Sequence, residues 1–505
     1  MLKRVLGIAA LLAVSSPALS GEGGMTVDAF QAAYRRGLGQ EARKDLIMAV
    51  GRSGDPRAVE PLARLLHEER SYPHLQAWIV KTLCADLGTR EALKLVGDCL
   101  RDPRSPSGVT LVAEQFLGDV RNPEGLAWMA SAGLRERGLR ESMAWGLARA
   151  ESFKDPVPLL AHLALPDEKD WRIRAAAASG LARIADARSS AAVLAALKTE
   201  TAVPVRRYLL AAAGRLDPAG ALPLLRAALS DPDPRVRLGA IEGLAHCLRQ
   251  GAQRGQALGL LVETLARDRG RLRGDAARVL ERGTGRKFGL DIPSWRAYLQ
   301  ELGIPPTMGE AAATPVAEYF GLQMPSRRIV FVLEASLAMT WDRQTLQPVD
   351  RLARAKRELA KMIDALPAGT QFGVVAFGIT GVRWRDALSA ATPEHKQAAK
   401  VWVEQQGGTS WPDFGAGLGT AWSLGLPART SDAPPEDLGA DTLVLVSNGE
   451  PLKGDLLAND LHRWVMVQSR YRSVVVHTVG IGSGSDKGFL TNLALQTGGS
   501  FRNVD

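Results

Sequence analysis

The chain has 505 residues, 46% of them hydrophobic, and a formal net charge of +9; that length and apolar content exceed one domain and support large buried cores. Three cysteines, Cys84, Cys99 and Cys247, exclude a disulfide-stapled scaffold, although a Cys84–Cys99 bridge across adjacent helices stays open beside the reading of all three as small core residues. There is no Cys-x-x-Cys pair and no His-Glu-x-x-His, and the seven histidines are scattered, so zinc has no site.

At the start, Met1-Leu-Lys-Arg4 supplies positive charge, Val5 to Val14 an apolar run, and Ala18-Leu-Ser20 small residues where a signal peptidase reads. Residues 1–20 are expected to be a signal peptide cleaved after Ser20, giving a periplasmic or extracellular product. The apolar run is shorter than the roughly 20 residues that span a bilayer. No cysteine follows it to carry a lipid, and no later segment reads as membrane-spanning.

Residues 21–302 repeat. Ala42-Arg43, Leu75-Gln76, Val109-Thr110, Leu139-Arg140, Ile173-Arg174, Val205-Arg206, Val236-Arg237 and Leu272-Arg273 recur at spacings of 33, 34, 30, 34, 32, 31 and 36, the period of a repeat protein. Trp171–Lys198 and Pro234–Leu265 each read as two Ala/Leu-rich helices, and turns such as Asp55-Pro56 and Asp217-Pro218 separate the helices. These units resemble HEAT repeats, with Asp231-Pro-Asp-Pro-Arg-Val-Arg-Leu238 carrying the resemblance best. It implies an all-α HEAT-like solenoid of about eight helical pairs, whose units bury their apolar stripes only by stacking and leave an extended binding surface; an ordinary helical bundle is the alternative. Residues 201–300 hold 17 basic against 9 acidic side chains, among them Arg267, Arg269, Arg271, Arg273, Arg278, Arg282, Arg286 and Lys287. Such a cluster suits an acidic protein or an anionic surface, and export argues against nucleic acid. The alternative is a solvated helix face whose arginine stems cover apolar neighbours.

Lys287 to Leu299 reads as a capping helix with Pro293 and Ser294 near its start, and residues 303–325, rich in Pro and Ala, as a linker. From 326 to 505, Val/Ile/Phe-rich runs alternate with amphipathic stretches such as Leu352–Leu366, the pattern of strands and crossover helices in an open parallel sheet. In such sheets ligands gather beyond the carboxyl ends of the strands, where strand order reverses.

The same residues resemble a von Willebrand factor A domain. The match runs through Arg327-Arg-Ile-Val-Phe-Val-Leu-Glu-Ala-Ser-Leu-Ala338, Gln371-Phe-Gly-Val-Val-Ala-Phe377, Gly407-Gly-Thr409, Asp441 to Pro451, and Val474 to Phe501. The resemblance implies an α/β, Rossmann-like domain with a divalent cation on an Asp-x-Ser-x-Ser motif, a threonine and an aspartate. Here the motif reads Glu334-x-Ser336-x-Ala338, the threonine is Thr409, and Ser447-Asn448-Gly449 stands where the family places Thr-Asp-Gly. One carboxylate replaces two and a hydroxyl is lost. Mg²⁺ favours near-octahedral oxygen coordination anchored by carboxylates, so Glu334, Ser336, Thr409 and Asn448 are expected to form a degenerate metal-ion-dependent adhesion site, weak or empty. The hydroxyls also read as ordinary loop caps and Asn448-Gly449 as a turn.

Trp341 and Trp411 lie on loops at the rim of this crevice and are the expected partner-binding residues, since exposed indoles anchor interfaces; the alternative folds them inward. Gly480-x-Gly482-x-Gly484 reads as a turn rather than a nucleotide loop, and no Gly-x-Ser-x-Gly elbow is present. The expectation is therefore an exported, non-enzymatic scaffold that binds protein partners, with no cofactor and no catalytic residue. A Mg²⁺-dependent adhesion module is the second reading, and an enzyme or enzyme accessory with an unrecognised site the third.

Overall fold

The computed structural model describes residues 19–504 other than 21–23, 70, 103, 106, 137, 250, 269, 306–316, 320, 343–344, 409, 425–438, 450–457 and 483–484. Most of the expected signal segment, the centre of the expected linker, Arg269 and Thr409 therefore lie outside the described residues. The chain forms two compact units, Met1–Pro156 and Val157–Asp505. Among the described residues no helix is long and apolar enough to cross a membrane.

The first unit is helical from Val27–Ala33 to Arg140–Arg149. Phe30, Ile47, Leu62, Leu75, Ile79 and Leu83 are fully buried in it, and helices such as Val59–Glu68 turn one apolar stripe inward. Cys84 and Cys99 are free thiols within this core; burial pushes Cys99 up to about 11 and Cys84 further, so both stay protonated. A buried polar cluster sits among them, where Arg43 and Tyr34 both donate to the Glu69 carboxylate, at 2.5 and 2.7 Å.

The second unit opens with a helical array: α1 (Val157–Leu163), α2 (Trp171–Ile184), α3 (Ala187–Leu197), α4 (Val203–Leu216), α5 (Pro218–Ala228), α6 (Pro234–Cys247), α7 (Arg254–Arg267), α8 (Leu272–Thr284) and α9 (Ile292–Glu301). Helices α2, α4, α6 and α8 pack side by side as one layer. Starts are set by acidic caps: Asp170, Asp217 and Asp233 accept N–H groups of the first turns, with Pro218 and Pro234 at positions that have no N–H to lose.

The recurring arginine of the sequence has a structural reason. Arg174, Arg206 and Arg237 each lie in the first turn of a layer helix and reach an acid that follows the next helix. The pairs are Arg174–Glu200 at 2.7 Å, Arg206–Asp231 at 2.9 Å and Arg237–Asp268 at 3.3 Å. Successive repeats are thus stapled by ion pairs spaced at the repeat length. The final helix α9 packs against α7, with Trp295 fully buried and its indole N–H on the Gly289 carbonyl at 2.9 Å.

The remainder is an α/β sheet. Strands β1 (Arg328–Glu334), β2 (Gln371–Phe377), β3 (Gly381–Arg383), β4 (Ser389–Ala390), β5 (Thr442–Ser447), β6 (Val475–Ile481) and β7 (Phe501–Val504) run in the order β4-β2-β1-β5-β6-β7, with β3 also on β2. Five strands are parallel, and β3 and β4 are antiparallel additions at one edge. Helices α10 (Arg351–Ala365), α11 (Pro393–Gln405), α12 (Phe414–Ser423), α13 (Ala458–Arg472) and α14 (Lys487–Thr497) complete it. The strands β1 and β5 are buried along almost their whole length, which is why they read as unbroken apolar runs. Strand order reverses at β1, so its carboxyl end opens the crevice.

Candidate functional site

Strand β1 ends in Glu334, and its side chain turns inward to full burial. The Ser336 hydroxyl donates to Glu334 Oε1 at 2.5 Å, the Ser447 hydroxyl donates to Oε2 at 2.5 Å, and the Asn448 N–H donates to Oε2 at 3.2 Å. The hydroxyls accept in turn: Ser336 Oγ from the Ala338 N–H at 3.1 Å and Ser447 Oγ from the Gly449 N–H at 2.7 Å. A carboxylate removed from water needs donors on both oxygens, and neighbouring loops supply them. The extra methylene of glutamate over aspartate gives the reach to span from β1 to the end of β5.

The loop from Gly407 to Asp413 closes over this cluster. The Leu337 N–H donates to the Ser410 carbonyl at 2.8 Å and the Asp413 N–H to the Gly378 carbonyl at 2.8 Å. Gly408 lies so close that a Cβ there would fall 2.3 Å from the Ala335 carbonyl oxygen, so only glycine allows the loop to descend this far.

A guanidinium crosses the same edge. Arg351, at the start of α10, donates to the Ala338 carbonyl at 3.0 Å and pairs with Asp342 at 2.5 Å. A Cβ on Gly482 would meet its Nε at 2.6 Å, and Gly482 has a φ of +93°. Ala338 follows β1 and Gly482 follows β6, so Arg351 bridges the ends of the strands flanking β5. No motif in the sequence singled out Arg351. The signal was a glycine at the exit of β6, read there as a turn.

Of the expected site residues, Glu334, Ser336 and Asn448 come together, the last through its backbone N–H, while Thr409 lies outside the described residues. Ser447 joins them, although sequence reasoning passed over it in favour of Asn448. The described donors comprise one carboxylate and two hydroxyls already bonded to one another, and among the described residues no group of three His, Cys, Asp or Glu is placed to hold a metal. Mg²⁺ favours several oxygens directed at one point.

Trp341 is 38% exposed on the short hairpin of Trp341–Asp342 and Gln347–Pro348 that follows the Ser336 loop. Trp411 is half-buried on the Gly407–Asp413 loop. Leu346, Ile379 and Val382 add exposed apolar surface at this end of the sheet. The basic run of residues 267–287 does not form one solvated face: Arg273 is buried, Arg271 and Arg278 flank the buried Asp275, and Arg282, Arg286 and Lys287 are exposed.

Residues 190–281 match the family model for HEAT repeats, and residues 328–502 that for the von Willebrand factor type A domain. Among curated proteins the chain is similar to inter-alpha-trypsin inhibitor heavy chain H1 of Bos taurus, 23% identical over 185 residues, and heavy chain H4 of Homo sapiens, 24% over 189 residues. Each match takes in 36% of this chain and 19% of the relative, so the chain spans about a fifth of the length of these relatives. Among solved structures it is similar to a von Willebrand factor type A protein from Catenulispora acidiphila, 20% identical over 36% of this chain and 40% of that one, with a TM-score of 0.30. A second is proximal thread matrix protein 1 of the mussel byssus, with a zinc-occupied adhesion motif, at 20% identity, 35% and 40% coverage and a TM-score of 0.26.

Proposed function

Since residues 190–281 of this chain are HEAT repeats and residues 328–502 a von Willebrand factor type A domain, we propose that it is an exported, non-enzymatic interaction protein whose A domain engages a protein partner without a bridging metal. The observation that carries this reading is the state of Glu334. Its two oxygens already accept from Ser336, Ser447 and Asn448, so coordinating a cation requires breaking buried, charge-assisted hydrogen bonds.

Partner contact then falls to the rim. Trp341 is the leading anchor because it combines exposure with a hairpin mounting, and Leu346 and Ile379 extend its apolar surface. The helical array acts as the scaffold that carries the A domain and offers further surface for binding.

Calorimetry of the purified chain with Mg²⁺, followed by capture of partners from an envelope fraction with and without EDTA, tests this reading. The expected result is no saturable Mg²⁺ binding and the same captured partners under both conditions. Tight Mg²⁺ binding, with capture abolished by EDTA, supports the metal-dependent adhesion alternative instead.

A further inference from the structure

A second site lies at the opposite end of the strands from the Glu334 crevice, where the helical array meets the A domain. A cavity of about 320 Å³ is walled on one side by α8 and the Gly289–Leu290 turn. On the other side are the amino-terminal ends of β5 and β6, the connection from α14 to β7, and the short hairpin of Ala317–Tyr319 and Leu322–Met324. Leu290, Leu322 and Val475 give it an apolar lining, and Arg278, Glu281, His477 and Ser500 bring polar groups to it.

These polar groups are held by their neighbours and keep bonding capacity in reserve. Nδ1 of His477 accepts the Ser500 N–H at 3.1 Å, so the proton of the neutral ring sits on Nε2. Burial, with Arg278 beside it, pushes this imidazole down to about 4, and no described residue accepts from its Nε2. Arg278 donates through Nη2 to Asp275, which Arg271 also holds at 2.8 Å. Its Nη1 lies over Gly498, where a φ of +81° and the missing Cβ leave the space. Glu281 is one turn along α8 from Arg278, near enough for two side chains to pair. Its Oε1 instead accepts the Gly289 N–H at 3.0 Å, and it makes no ion pair among the described residues. A guanidinium and a carboxylate thus face one cavity without meeting each other.

We propose that this cavity binds an aliphatic α-amino acid. The ligand carboxylate takes the Arg278 guanidinium, the His477 Nε2–H and the Ser500 hydroxyl; the ammonium takes Glu281; the side chain lies on Leu290, Leu322 and Val475. A zwitterion matches a wall that carries both signs, whereas a simple anion sets a like charge before Glu281 and a simple cation leaves the three donors unused. The volume is that of a small-molecule site, with a few polar groups on an apolar lining. Arg278 and Glu281 belong to the array, and His477 and Ser500 to the A domain, so an occupied cavity ties the two together. The site is separate from the Glu334 crevice and does not depend on the reading given for it.

Isothermal titration of the full chain with L-leucine at neutral pH tests the proposal, against isocaproate, which is leucine without its amine, and isoamylamine, which is leucine without its carboxylate. Saturable binding of leucine is expected, at least about tenfold tighter than either analogue, the usual scale for losing one charge-assisted hydrogen bond. Glu281→Gln keeps an acceptor for the Gly289 N–H and removes the charge; it should weaken leucine about tenfold and leave isocaproate no weaker, a split that general loosening of the fold does not produce. Ser500→Ala should weaken leucine and isocaproate alike. Glu281 is half-buried and Ser500 exposed, so both variants should melt like the parent. No saturable binding of leucine, either analogue binding as tightly as leucine, or unchanged leucine affinity in Glu281→Gln would overturn the assignment.

Discussion

Tyr208 donates its hydroxyl to the main-chain carbonyl of Arg470 at 2.7 Å, and Arg207 reaches the same oxygen at 3.3 Å. The acceptor belongs to the last turn of α13, where helix carbonyls lack intrahelical partners and the helix dipole is negative. Trp171 packs edge-on against the adjacent Tyr471, with ring centroids 4.6 Å apart, and Arg271 donates to the Ser473 carbonyl just beyond. The array therefore caps an A-domain helix, and both belong to one compact unit.

Cleavage in the Pro/Ala segment of residues 306–316 should consequently leave two fragments that stay together. Limited proteolysis followed by gel filtration under native conditions checks this, with co-elution expected. Tyr208→Phe combined with Arg207→Ala should release the fragments from each other at lower denaturant. Fragments of the parent chain that separate freely would show that the docking is too weak to matter.

Arg174 and Glu200 form a bidentate pair at 2.7 and 2.9 Å, with both side chains largely removed from water. Losing one partner strands a buried charge, so Arg174→Ala is expected to cost about 3 kcal/mol in urea unfolding. The exposed pair Arg64–Glu60 gives the contrast: its loss should cost under about 1 kcal/mol. Similar losses at the two sites would contradict the stapling role given to the repeat arginine.

Acid should loosen the second unit through His477. Burial, together with nearby Arg278 and Arg271 and against the pull of Asp275, pushes its imidazole down to about 4, and its Nδ1 accepts the Ser500 N–H at 3.1 Å. An unfolded histidine titrates near 6.5. Between about pH 6.5 and 4 the unfolded chain therefore binds a proton that the folded chain refuses, and stability falls as pH drops through that window. His477→Asn should flatten this part of the stability profile. Burial alone would raise Asp275, but Arg271 and Arg278 outweigh it and hold its carboxyl below the ordinary range. Its contribution is present above the ordinary carboxylate range and is lost at lower pH, so the variant's remaining acid sensitivity should lie there.

At the crevice, Ala338→Ser with Asn448→Asp restores a hydroxyl and a carboxylate and should raise Mg²⁺ affinity measurably by calorimetry. Ser447→Ala leaves Glu334 Oε2 one donor short in a buried site, with an expected stability cost of about 1–3 kcal/mol. Trp341→Ala should leave melting unchanged and weaken partner capture by about 2 kcal/mol if the indole is the anchor. Unchanged capture would move the interface elsewhere.

Much of this molecule is local and so was legible in the residues themselves. Unbroken apolar runs at 328–334 and 442–447 marked strands buried on both faces, and Asp-Pro pairs marked turns between helices. The spacing of residues such as Ile173-Arg174 and Val236-Arg237 marked the repeat. These depend on periodicity and capping, which neighbouring residues determine. Glu334 and Ser336 were recognised through a motif within five residues. What lay beyond reach depended on distant segments meeting. Ser447 became a partner of Glu334 only because β5 lies beside β1, and Arg351 reached the crevice only because Gly482 leaves room for it. The basic run of residues 267–287 divided between interface and solvent only once the A domain docked on α8. Charge and hydroxyl groups in a sequence state what chemistry is available; the packing of segments tens to hundreds of residues apart decided which of them were spent on one another.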